Sequence, residues 1–386
     1  MKIISVVGAR PNFMKVAPFC RALMAYPEVQ HILVHTGQHY DVRMSEQFFN
    51  ELDIPNPDIN LEIGSGTHAE QVGRTMIEFE KVLRREKPDW VVVLGDVNAT
   101  CACSITAKKE HIKCAHIEAG LRSRDMDMPE EINRLVTDRL SDLLFTPDRL
   151  SNANLKSEGV PDEKIKFVGN IMIDTLERER EKAAALDIDE IIRGNAIEGC
   201  FNAEAQRGDS ALKSIKDREY IAMTMHRPSN VDQQETLVPA MRFFLDEVSR
   251  EHPIIWAIHP RAQKMLKEFG LWDEVLANPN MILVKPLGYH AMLRLNIGAR
   301  LFMTDSGGLQ EECCVLGTPC LTMRWNTERP VTLMENGGAS ILVGNAVDKM
   351  RDAYRANIDA PRRAMRPELW DGKTAERIAK VLVRCE

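Results

Sequence analysis

The sequence predicts an α/β protein made of two Rossmann-like domains with a deep cleft between them, and three observations lead there. The chain has 386 residues, which is too many for one ordinary hydrophobic core. Short apolar runs alternate with helical stretches along its length, as in a doubly wound sheet. The runs are continuously apolar, which is typical of parallel strands buried on both faces. Ligands of such folds bind beyond the carboxyl ends of the strands, so the cleft is the predicted site.

The first half supplies six of these strand and helix pairs. The predicted strands are IISVVG (3–8), HILVHTG (31–37), WVVVLGD (90–96), CAHIEAG (114–120), LLFTP (143–147) and IKFVGN (165–170). The helical stretches between them cover residues 11–26, 42–52, 69–86, 98–110, 129–141 and 148–158. A loop rich in Gly, Pro and Asn separates the second helix from the third.

The second half repeats the pattern after a polar connecting segment, residues 183–217, in which we expect some helix. Its predicted strands are YIAMTMH (220–226), IIWAIHP (254–260), MILVKP (281–286), LFMTDSG (301–307), PCLTMR (319–324) and SILVG (340–344). Its helices are expected at 232–251, 261–269, 289–297, from 307, and at 345–357 and 377–383. The predicted boundaries are 1–171 for an N-terminal domain, 172–366 for a C-terminal domain, and 367–386 for a terminal helix that packs back on the N-terminal domain.

Composition excludes several classes of protein. The net charge of −7 argues against general nucleic-acid binding, and no apolar run reaches membrane-spanning length. The N-terminus, MKIISVVGARP, lacks a full apolar signal region and a small-residue cleavage site. We therefore expect a cytoplasmic protein with neither a membrane nor a nucleic-acid partner.

Metal and redox cofactors are not expected. The nine cysteines lack the spacing of a zinc site or a disulfide framework, and Cys101-x-Cys103 and Cys313-Cys314 are the only close pairs. His116-x-Glu118 matches half of a zinc deaminase pattern, but the P-C-x-x-C half is absent. The sequence also lacks a dinucleotide fingerprint.

The stretch TDSGGLQEE (304–312) is the first candidate for ligand binding. Ser306, Gly307 and Gly308 open a helix directly after a strand, where unpaired N–H groups favour a phosphate. For SGG alone, an ordinary helix cap at Ser306 is the simpler explanation. Glutamates follow within one turn, Glu312 among them, and a carboxylate there could reach ribose hydroxyls of the same ligand.

Cations and carboxylates at other strand ends complete the predicted site. Arg10 and Lys15 follow the first strand, at a helix start where the dipole disfavours cations, and His226 ends the first strand of the second half. Arg329 stands in NTERP, near the later strand ends.

Three acidic residues also lie at predicted strand or helix ends. Asp96 and Glu118 end neighbouring strands, and Glu130 opens the helix in MPEEINR. Carboxylates clustered in a cleft raise one another's pKa, which suits acid–base chemistry. For Glu130 the ordinary position of an acid in a first helical turn is a strong alternative, and Asp96 could be a helix cap.

Taken in order, the motifs GARPNFMKVAP, HTGQHYD, GDVNAT, HIEAGLRS, MPEEINR, HRPSNV and TDSGGLQEE…NTERP resemble the non-hydrolysing UDP-N-acetylglucosamine 2-epimerases over residues 1 to about 344. The resemblance implies a glycosyltransferase-B-like fold, a homodimer, no redox cofactor, and UDP bound by the C-terminal domain. It implies the catalytic residues Asp96, Glu118, Glu130 and His226. It implies the UDP contacts Arg10, Ser306, Gly307, Gly308, Glu312 and Arg329, and Lys15 matches a basic position of the first motif.

The resemblance also implies a reaction. UDP-N-acetylglucosamine and UDP-N-acetylmannosamine would interconvert through elimination of UDP to a 2-acetamidoglucal and re-addition of UDP, which feeds cell-surface polysaccharide synthesis. The alternatives are 2-epimerisation of UDP-2,3-diacetamido-2,3-dideoxy-glucuronate, a hydrolysing epimerase, a glycosyltransferase of the same fold, and a non-catalytic nucleotide-sugar sensor.

Departures from the family pattern bear on regulation and on the sugar. The loop Ser123–Met128 is shorter than in the allosteric bacterial members, and the glutamine that follows the Gln38-His39 motif in those members has no clear match. Leu287 and Met292 stand where bacterial members have a Gln and a Phe near the base. These changes leave open both allosteric control and the exact sugar.

Overall fold

A computed structural model describes residues 1–37, 48–200 and 215–385, with the exception of the side chain of Arg10. The chain divides into two compact units. Unit 1 comprises Met1–Glu179 and Arg366–Glu386, and unit 2 comprises Arg180–Met365.

Unit 1 is built on a seven-stranded parallel sheet in the order β3-β2-β1-β4-β5-β6-β7. Its strands are β1 (Lys2–Val7), β2 (Gln30–His35), β3 (Ile59–Asn60), β4 (Trp90–Leu94), β5 (Lys113–Ile117), β6 (Leu143–Thr146) and β7 (Ile165–Phe167). The α-helices up to residue 184 are Arg10–Leu23, His68–Glu86, Asn98–Lys109, Pro129–Leu140, Arg149–Ser157 and Ile171–Ala184, with a 3₁₀ turn at Asp162–Lys164. A final helix, Thr374–Val383, packs against the first helix of this unit.

Unit 2 contains a six-stranded parallel sheet in the order β10-β9-β8-β11-β12-β13. Its strands are β8 (Ile221–Thr224), β9 (Ile254–Ala257), β10 (Met281–Val284), β11 (Leu301–Thr304), β12 (Cys320–Thr322) and β13 (Ser340–Leu342). Its α-helices are Ile188–Asn195, Pro228–Val231, Gln234–Phe243, Ser249–Glu251, Pro260–Glu268, Trp272–Ala277, Tyr289–Gly298, Gly307–Leu316 and Val347–Asn357. A π-helical turn, Phe244–Val248, and 3₁₀ turns at Pro330–Thr332 and Met334–Asn336 complete it.

The apolar strands are buried because helices cover both faces of each sheet. Along β8, Ile221 and Met223 belong to one hydrophobic core, whereas Tyr220 and Ala222 belong to the core on the opposite face. Successive side chains of a strand point to opposite faces, so both sets must be apolar. The continuous runs of the sequence follow directly from this arrangement, and the predicted pair of Rossmann-like domains is confirmed.

Each sheet reverses its strand order beside its first strand, between β1 and β4 in unit 1 and between β8 and β11 in unit 2. Side chains that follow these strands meet at one edge, where open α/β sheets bind their ligands. In unit 2, Thr224 and Thr304 are register partners, and their hydroxyl oxygens lie 2.7 Å apart at this point.

Some elements were not predicted. The two-residue strand β3 lies inside the stretch expected to be a loop, and the helices Ile171–Ala184 and Trp272–Ala277 were not expected. Of the helix predicted at 42–52, residues 42–47 lie outside the described part of the chain, and residues 48–51 are helical. Among the described residues, no helix combines the length and the apolar character needed to cross a membrane.

Candidate active-site residues

In unit 1 the structure brings Lys15 and Glu118 into contact. The Lys15 Nζ atom lies 2.5 Å from Glu118 Oε2, and both side chains are almost completely buried. The same ammonium group packs against Gly95, where a Cβ atom would come within 2.8 Å of it. Gly95 immediately precedes Asp96, so the ends of β4 and β5 meet around one lysine.

Asp96 is held from the helix Pro129–Leu140. Its Oδ2 atom accepts a hydrogen bond of 2.5 Å from Arg134 Nη1, and its main-chain carbonyl accepts one of 2.9 Å from Asn133. The Asp96 side chain is 21% exposed, whereas Arg134 is buried. A carboxylate that a buried arginine holds at one oxygen keeps a fixed orientation while remaining accessible.

The two glutamates of the PEE motif differ in their surroundings. Glu131 is buried and accepts hydrogen bonds from Arg134 and from the Ser123 and Arg124 amides. Burial opposes its ionisation, but these hydrogen bonds and the Arg134 charge outweigh burial and lower its pKa. Glu130 is only half-buried, and within the described part of the chain its carboxylate makes no hydrogen bond or ion pair. Glu130 therefore has the carboxylate suited to a ligand, whereas Glu131 anchors the loop that contains Ser123 and Arg124.

Glu118 has an unusual backbone conformation, with φ of 76°. The left-handed region is sparsely populated by residues other than glycine, and a residue held there costs of order 1–3 kcal/mol. Such strain is concentrated at functional sites. The backbone conformation therefore makes Glu118 a candidate functional residue, independently of the contacts of its side chain.

In unit 2 the imidazole of His226 faces the carboxylate of Asp305, with 2.7 Å between Nδ1 and Oδ1. The other carboxylate oxygen accepts hydrogen bonds from the His226 and Arg227 amides and from Asn230 Nδ2. Burial alone would raise the pKa of Asp305, but the charge of His226 and these hydrogen bonds outweigh it and lower that pKa to about 2. Asp305 is therefore a permanent anion that orients a half-exposed histidine.

The Ser306 turn has the predicted form. Ser306 stands at the N-cap of the helix Gly307–Leu316, and its side chain makes no capping hydrogen bond. A Cβ atom at Gly307 would lie 2.6 Å from Arg329 Nη1, so only glycine permits the guanidinium to approach this closely. The turn thus combines a helix N-terminus with a neighbouring cation, an arrangement that favours an anion.

Arg329 is itself part of a buried charge cluster. Its Nε atom donates to Glu311 at 2.7 Å, and its Nη1 atom contacts Glu328, which also accepts a 2.6 Å bond from Arg324. Arg329 is 5% exposed. Arg329 therefore neutralises the carboxylates of Glu311 and Glu328 beside the Ser306 turn.

Glu312 lies deep inside unit 2, beside Tyr289 and Asn296. Burial raises the pKa of this carboxyl group to about 7, although both neighbours oppose the rise. A carboxyl with this pKa is partly protonated at neutral pH, when it can donate as well as accept a hydrogen bond.

Sequence reasoning missed the Arg329 partners Glu328 and Arg324, and it missed two further residues, Asp305 and Arg134. Both stand inside motifs that the sequence singled out, TDSGG and EEINR, but their side chains act on other residues of the clusters. The side chain of Arg10 and the Gln38-His39 motif lie outside the described part of the chain. Among the described residues, no group of three or more His, Cys, Asp and Glu side chains could hold a metal ion.

Comparison with known proteins identifies the family. The sequence model described as UDP-N-acetylglucosamine 2-epimerase matches residues 21–383. The chain belongs to the UDP-N-acetylglucosamine 2-epimerase family. The resemblance predicted from the motifs is therefore confirmed, and the family is one of isomerases.

Individual relatives of this family cover the whole chain. A UDP-N-acetylglucosamine 2-epimerase of Methanocaldococcus jannaschii is 42% identical over 99% of both chains. A UDP-2,3-diacetamido-2,3-dideoxy-D-glucuronate 2-epimerase of Pseudomonas aeruginosa is 36% identical over 100% of both chains. The crystal structure of the M. jannaschii UDP-GlcNAc 2-epimerase in complex with UDP-GlcNAc and UDP matches 99% of both chains, with a TM-score of 0.87 and 40% identity.

Proposed function

We propose that this protein is a non-hydrolysing UDP-N-acetylglucosamine 2-epimerase, which interconverts UDP-N-acetylglucosamine and UDP-N-acetylmannosamine. The observation that carries the proposal is the strained, buried Glu118 paired with Lys15, because both residues lie within a match to a member of this family that covers 99% of the chain. Glu118 combines a left-handed backbone with a buried ammonium partner.

The proposed reaction balances without an external oxidant. A base removes the proton at C2, the electron pair forms a C1=C2 double bond, and the C1–O bond breaks to release UDP. A proton then returns to the opposite face of C2, while a UDP oxygen adds again to C1. The chemistry requires an acid, a base and stabilisation of the departing diphosphate.

We assign the proton transfers to the carboxylates of unit 1, Asp96, Glu118 and Glu130, leaving open which is base and which is acid. Lys15 supports Glu118 as an ion-pair partner and can compensate its negative charge. Arg134 supports Asp96 in the same way, through the bond from its Nη1 atom to Asp96 Oδ2. Glu130 contributes a carboxylate without a protein partner among the described residues.

We assign the UDP moiety to unit 2. The helix N-terminus at Ser306, Gly307 and Gly308 supplies N–H groups for the diphosphate, and Arg329 supplies positive charge beside it. His226, oriented by Asp305, would stabilise the departing diphosphate or transfer its proton. Glu312 is proposed to accept the ribose hydroxyls, and Arg10 to contact UDP as the family motif implies.

Incubation with UDP-N-acetylglucosamine in D₂O, followed by NMR, tests this function. The epimerase should incorporate deuterium at C2 and produce the manno isomer while releasing no free sugar. Release of N-acetylmannosamine would identify a hydrolysing enzyme instead. An unchanged nucleotide sugar would rule out the proposed activity and leave a transferase or a sensor.

A second candidate substrate is UDP-2,3-diacetamido-2,3-dideoxy-glucuronate. The relative that carries this name is 36% identical over the full chain, and Arg124 presents an exposed guanidinium on the short loop. A uronate carboxylate could pair with Arg124. Parallel assays on both nucleotide sugars decide between them.

Three wider features belong to the same proposal: a homodimer, a cytoplasmic location and a role in cell-surface polysaccharide synthesis. The family resemblance supports the first and third, and light scattering of the purified protein tests the dimer. Eight of the nine free cysteines are buried, and unpaired thiols are typical of a reducing compartment. Loss of surface polysaccharide after deletion of the gene would test the proposed role.

A further inference from the structure

The carboxylate of Asp138 bonds the residues on both sides of Glu118. Its Oδ1 atom lies 2.6 Å from His116 Nδ1, two residues before Glu118. Its Oδ2 atom accepts a 3.0 Å hydrogen bond from the amide of Gly120, two residues after Glu118. Asp138 comes from the neighbouring helix Pro129–Leu140 and is almost fully buried. One side chain therefore fixes both ends of the five-residue segment His116–Gly120. We call these contacts of Asp138 the bracket.

The segment His116–Gly120 contains a residue with a strained backbone. Glu118 has φ of 76°, a conformation that persists only where the surroundings over-determine it. The amides of Glu118 and Ala119 both donate to the carbonyl of Phe145, which fixes the middle of the segment. Asp138 restrains its two ends, and Asn154 Nδ2 also donates to the carbonyl oxygen of Gly120 at 3.0 Å.

The histidine of this bracket also reaches the neighbouring strand end. His116 Nε2 lies 2.7 Å from the carbonyl oxygen of Gly95, which precedes Asp96. A carbonyl can only accept, so Nε2 carries a hydrogen. Nδ1 faces the carboxylate of Asp138, so both ring nitrogens have a partner that holds the ring in place.

The charged side chains around Asp138 pair with one another. Arg122 Nη1 donates to Asp138 Oδ2 at 2.6 Å, and its other nitrogens hold Glu158 at 2.6 and 2.8 Å. His116 and the guanidinium of Arg122 thus both face the buried carboxylate of Asp138, and Arg122 also pairs with the exposed carboxylate of Glu158. A buried charge network is stable only when each member is paired in this way.

We propose that Asp138 is a positioning residue for the reaction, which sets the geometry of Glu118 through Gly120 and His116 and that of the Gly95–Asp96 turn through His116. This inference rests on the proposed function, since it assumes that Asp96 and Glu118 act on the substrate. Asp138 touches neither of their side chains in the contacts described, so its effect is indirect.

The test compares Asp138→Ala with Asp138→Asn and with a matched control. An asparagine can keep the bracket: its oxygen accepts from Gly120, and its amide nitrogen donates to Nδ1 of a neutral His116 that still bonds Gly95. The control is Asp174→Ala, since Asp174 is also a buried unit 1 carboxylate and accepts the Thr374 and Ala375 amides, at the final helix. If Asp138→Ala does not fold, Asp138→Ser replaces it, because a serine hydroxyl is too short to span both partners.

We expect Asp138→Ala to lower kcat about 100-fold, the effect of a misplacement of about 1 Å, with KM changed less than about threefold. Asp138→Asn should stay within about tenfold of the wild-type kcat, and Asp174→Ala should lower thermal stability alone. In crystals, the φ angle of Glu118 should stay positive in Asp138→Asn and Asp174→Ala, and become negative in Asp138→Ala.

Two outcomes would overturn the inference: equal kcat values for Asp138→Ala and Asp174→Ala, or an unchanged Glu118 backbone in folded Asp138→Ala. Failure of the proposed function is recognised separately, because the wild-type protein would then incorporate no deuterium at C2. The φ angle of Glu118 still tests the bracket in that case.

Discussion

The Nδ1 atom of His226 lies 2.7 Å from Oδ1 of Asp305, and these residues follow β8 and β11, the two strands between which the order of the unit 2 sheet reverses. The carboxylate requires a hydrogen on Nδ1, so Nε2 is left for a ligand. Because the low pKa of Asp305 keeps it ionised at every physiological pH, the orientation of the ring is constant.

Asp305→Asn should therefore damage catalysis more than folding. Asparagine can still accept the main-chain amides, but its NH₂ group facing Nδ1 selects the opposite tautomer of His226. We expect kcat to fall at least about 100-fold, as tautomer changes do in other Asp–His pairs. Steady-state kinetics beside a thermal melt measures both effects.

Asp232→Asn is the matched control for this change. Asp232 lies in the same unit and pairs with Arg261 at the protein surface. An exposed pair contributes little, so activity and stability should both stay near wild type. If Asp305→Asn behaves like Asp232→Asn, the carboxylate does not govern His226.

Much of the fold was predictable because burial on two faces produces an unmistakable pattern. Each of the twelve predicted strand runs overlaps one of the observed strands, with the starts of three strands falling one residue earlier than predicted. The strand β3 escaped because two residues at a sheet edge carry no periodic signal. The helix Ile171–Ala184 was not predicted because its first turn, IMID, is mostly apolar and so cannot be distinguished from the preceding strand.

The site was predictable only where a residue type alone suggests chemistry. Carboxylates at strand ends drew attention to Asp96 and Glu118, but the sequence could not indicate that Lys15 pairs with Glu118. That contact depends on two elements more than 90 residues apart in the chain. The partners Asp305 and Arg134 were missed for the same reason, since only the folded chain shows what their side chains contact.

Glu118→Gln should abolish turnover and leave UDP affinity within about threefold of wild type, because a carboxamide keeps the shape and loses the proton chemistry. Deuterium incorporation and calorimetric titration of UDP measure the two effects. The change leaves the Lys15 ammonium buried without its anion, which is destabilising. The double variant Lys15→Met/Glu118→Gln removes both charges and serves as the folding control. A loss of UDP affinity in both variants would contradict the assignment of UDP to unit 2.

Glu312→Gln should stabilise the protein in alkaline solution. Folding raises the pKa of Glu312 from 4.5 to about 7, so the folded state binds the extra proton between these values, and stability falls as pH rises through that range. Above pH 7 the folded protein bears the full cost of ionising this buried carboxyl group, which lowers the free energy of unfolding by about 3 kcal/mol. Glutamine avoids it, so the apparent Tm should rise by several degrees at pH 8 and change little at pH 4.5. Equal shifts at both pH values would show that ionisation of Glu312 is not responsible.

Activity should require neither a metal nor a nicotinamide. The proposed chemistry transfers only protons and UDP, and carboxylates with cationic partners supply both functions. Exhaustive chelation should therefore leave kcat unchanged, with a buffer-treated sample as control. A loss of turnover that one divalent ion restores would contradict this prediction.

The loop Ser123–Met128 leads to a prediction about regulation. Glu131 holds this loop through the amides of Ser123 and Arg124 at 3.0 and 2.9 Å, so its short course is fixed by a buried side chain. In allosteric bacterial members a second UDP-N-acetylglucosamine is implied to act through a longer loop. Without that segment, a second ligand has less differential affinity for any one state. We expect hyperbolic saturation by UDP-N-acetylglucosamine and no need for it as an activator, and a sigmoidal initial-rate curve would contradict this.

The exposed guanidinium of Arg124 leads to the last prediction, which concerns the sugar. Arg124 has a left-handed backbone with φ of 60°, and its Nη2 atom donates to Asn154 at 3.3 Å. If the substrate is a uronate, Arg124→Ala should lower kcat/KM for UDP-2,3-diacetamido-glucuronate at least about tenfold, since a charge-assisted hydrogen bond contributes about 1.5–3 kcal/mol. The same change should leave turnover of UDP-N-acetylglucosamine unaltered. Arg139→Ala, at an exposed arginine of the helix Pro129–Leu140, should affect neither substrate. Equal effects of Arg124→Ala on both nucleotide sugars would show that this arginine does not recognise a sugar carboxylate.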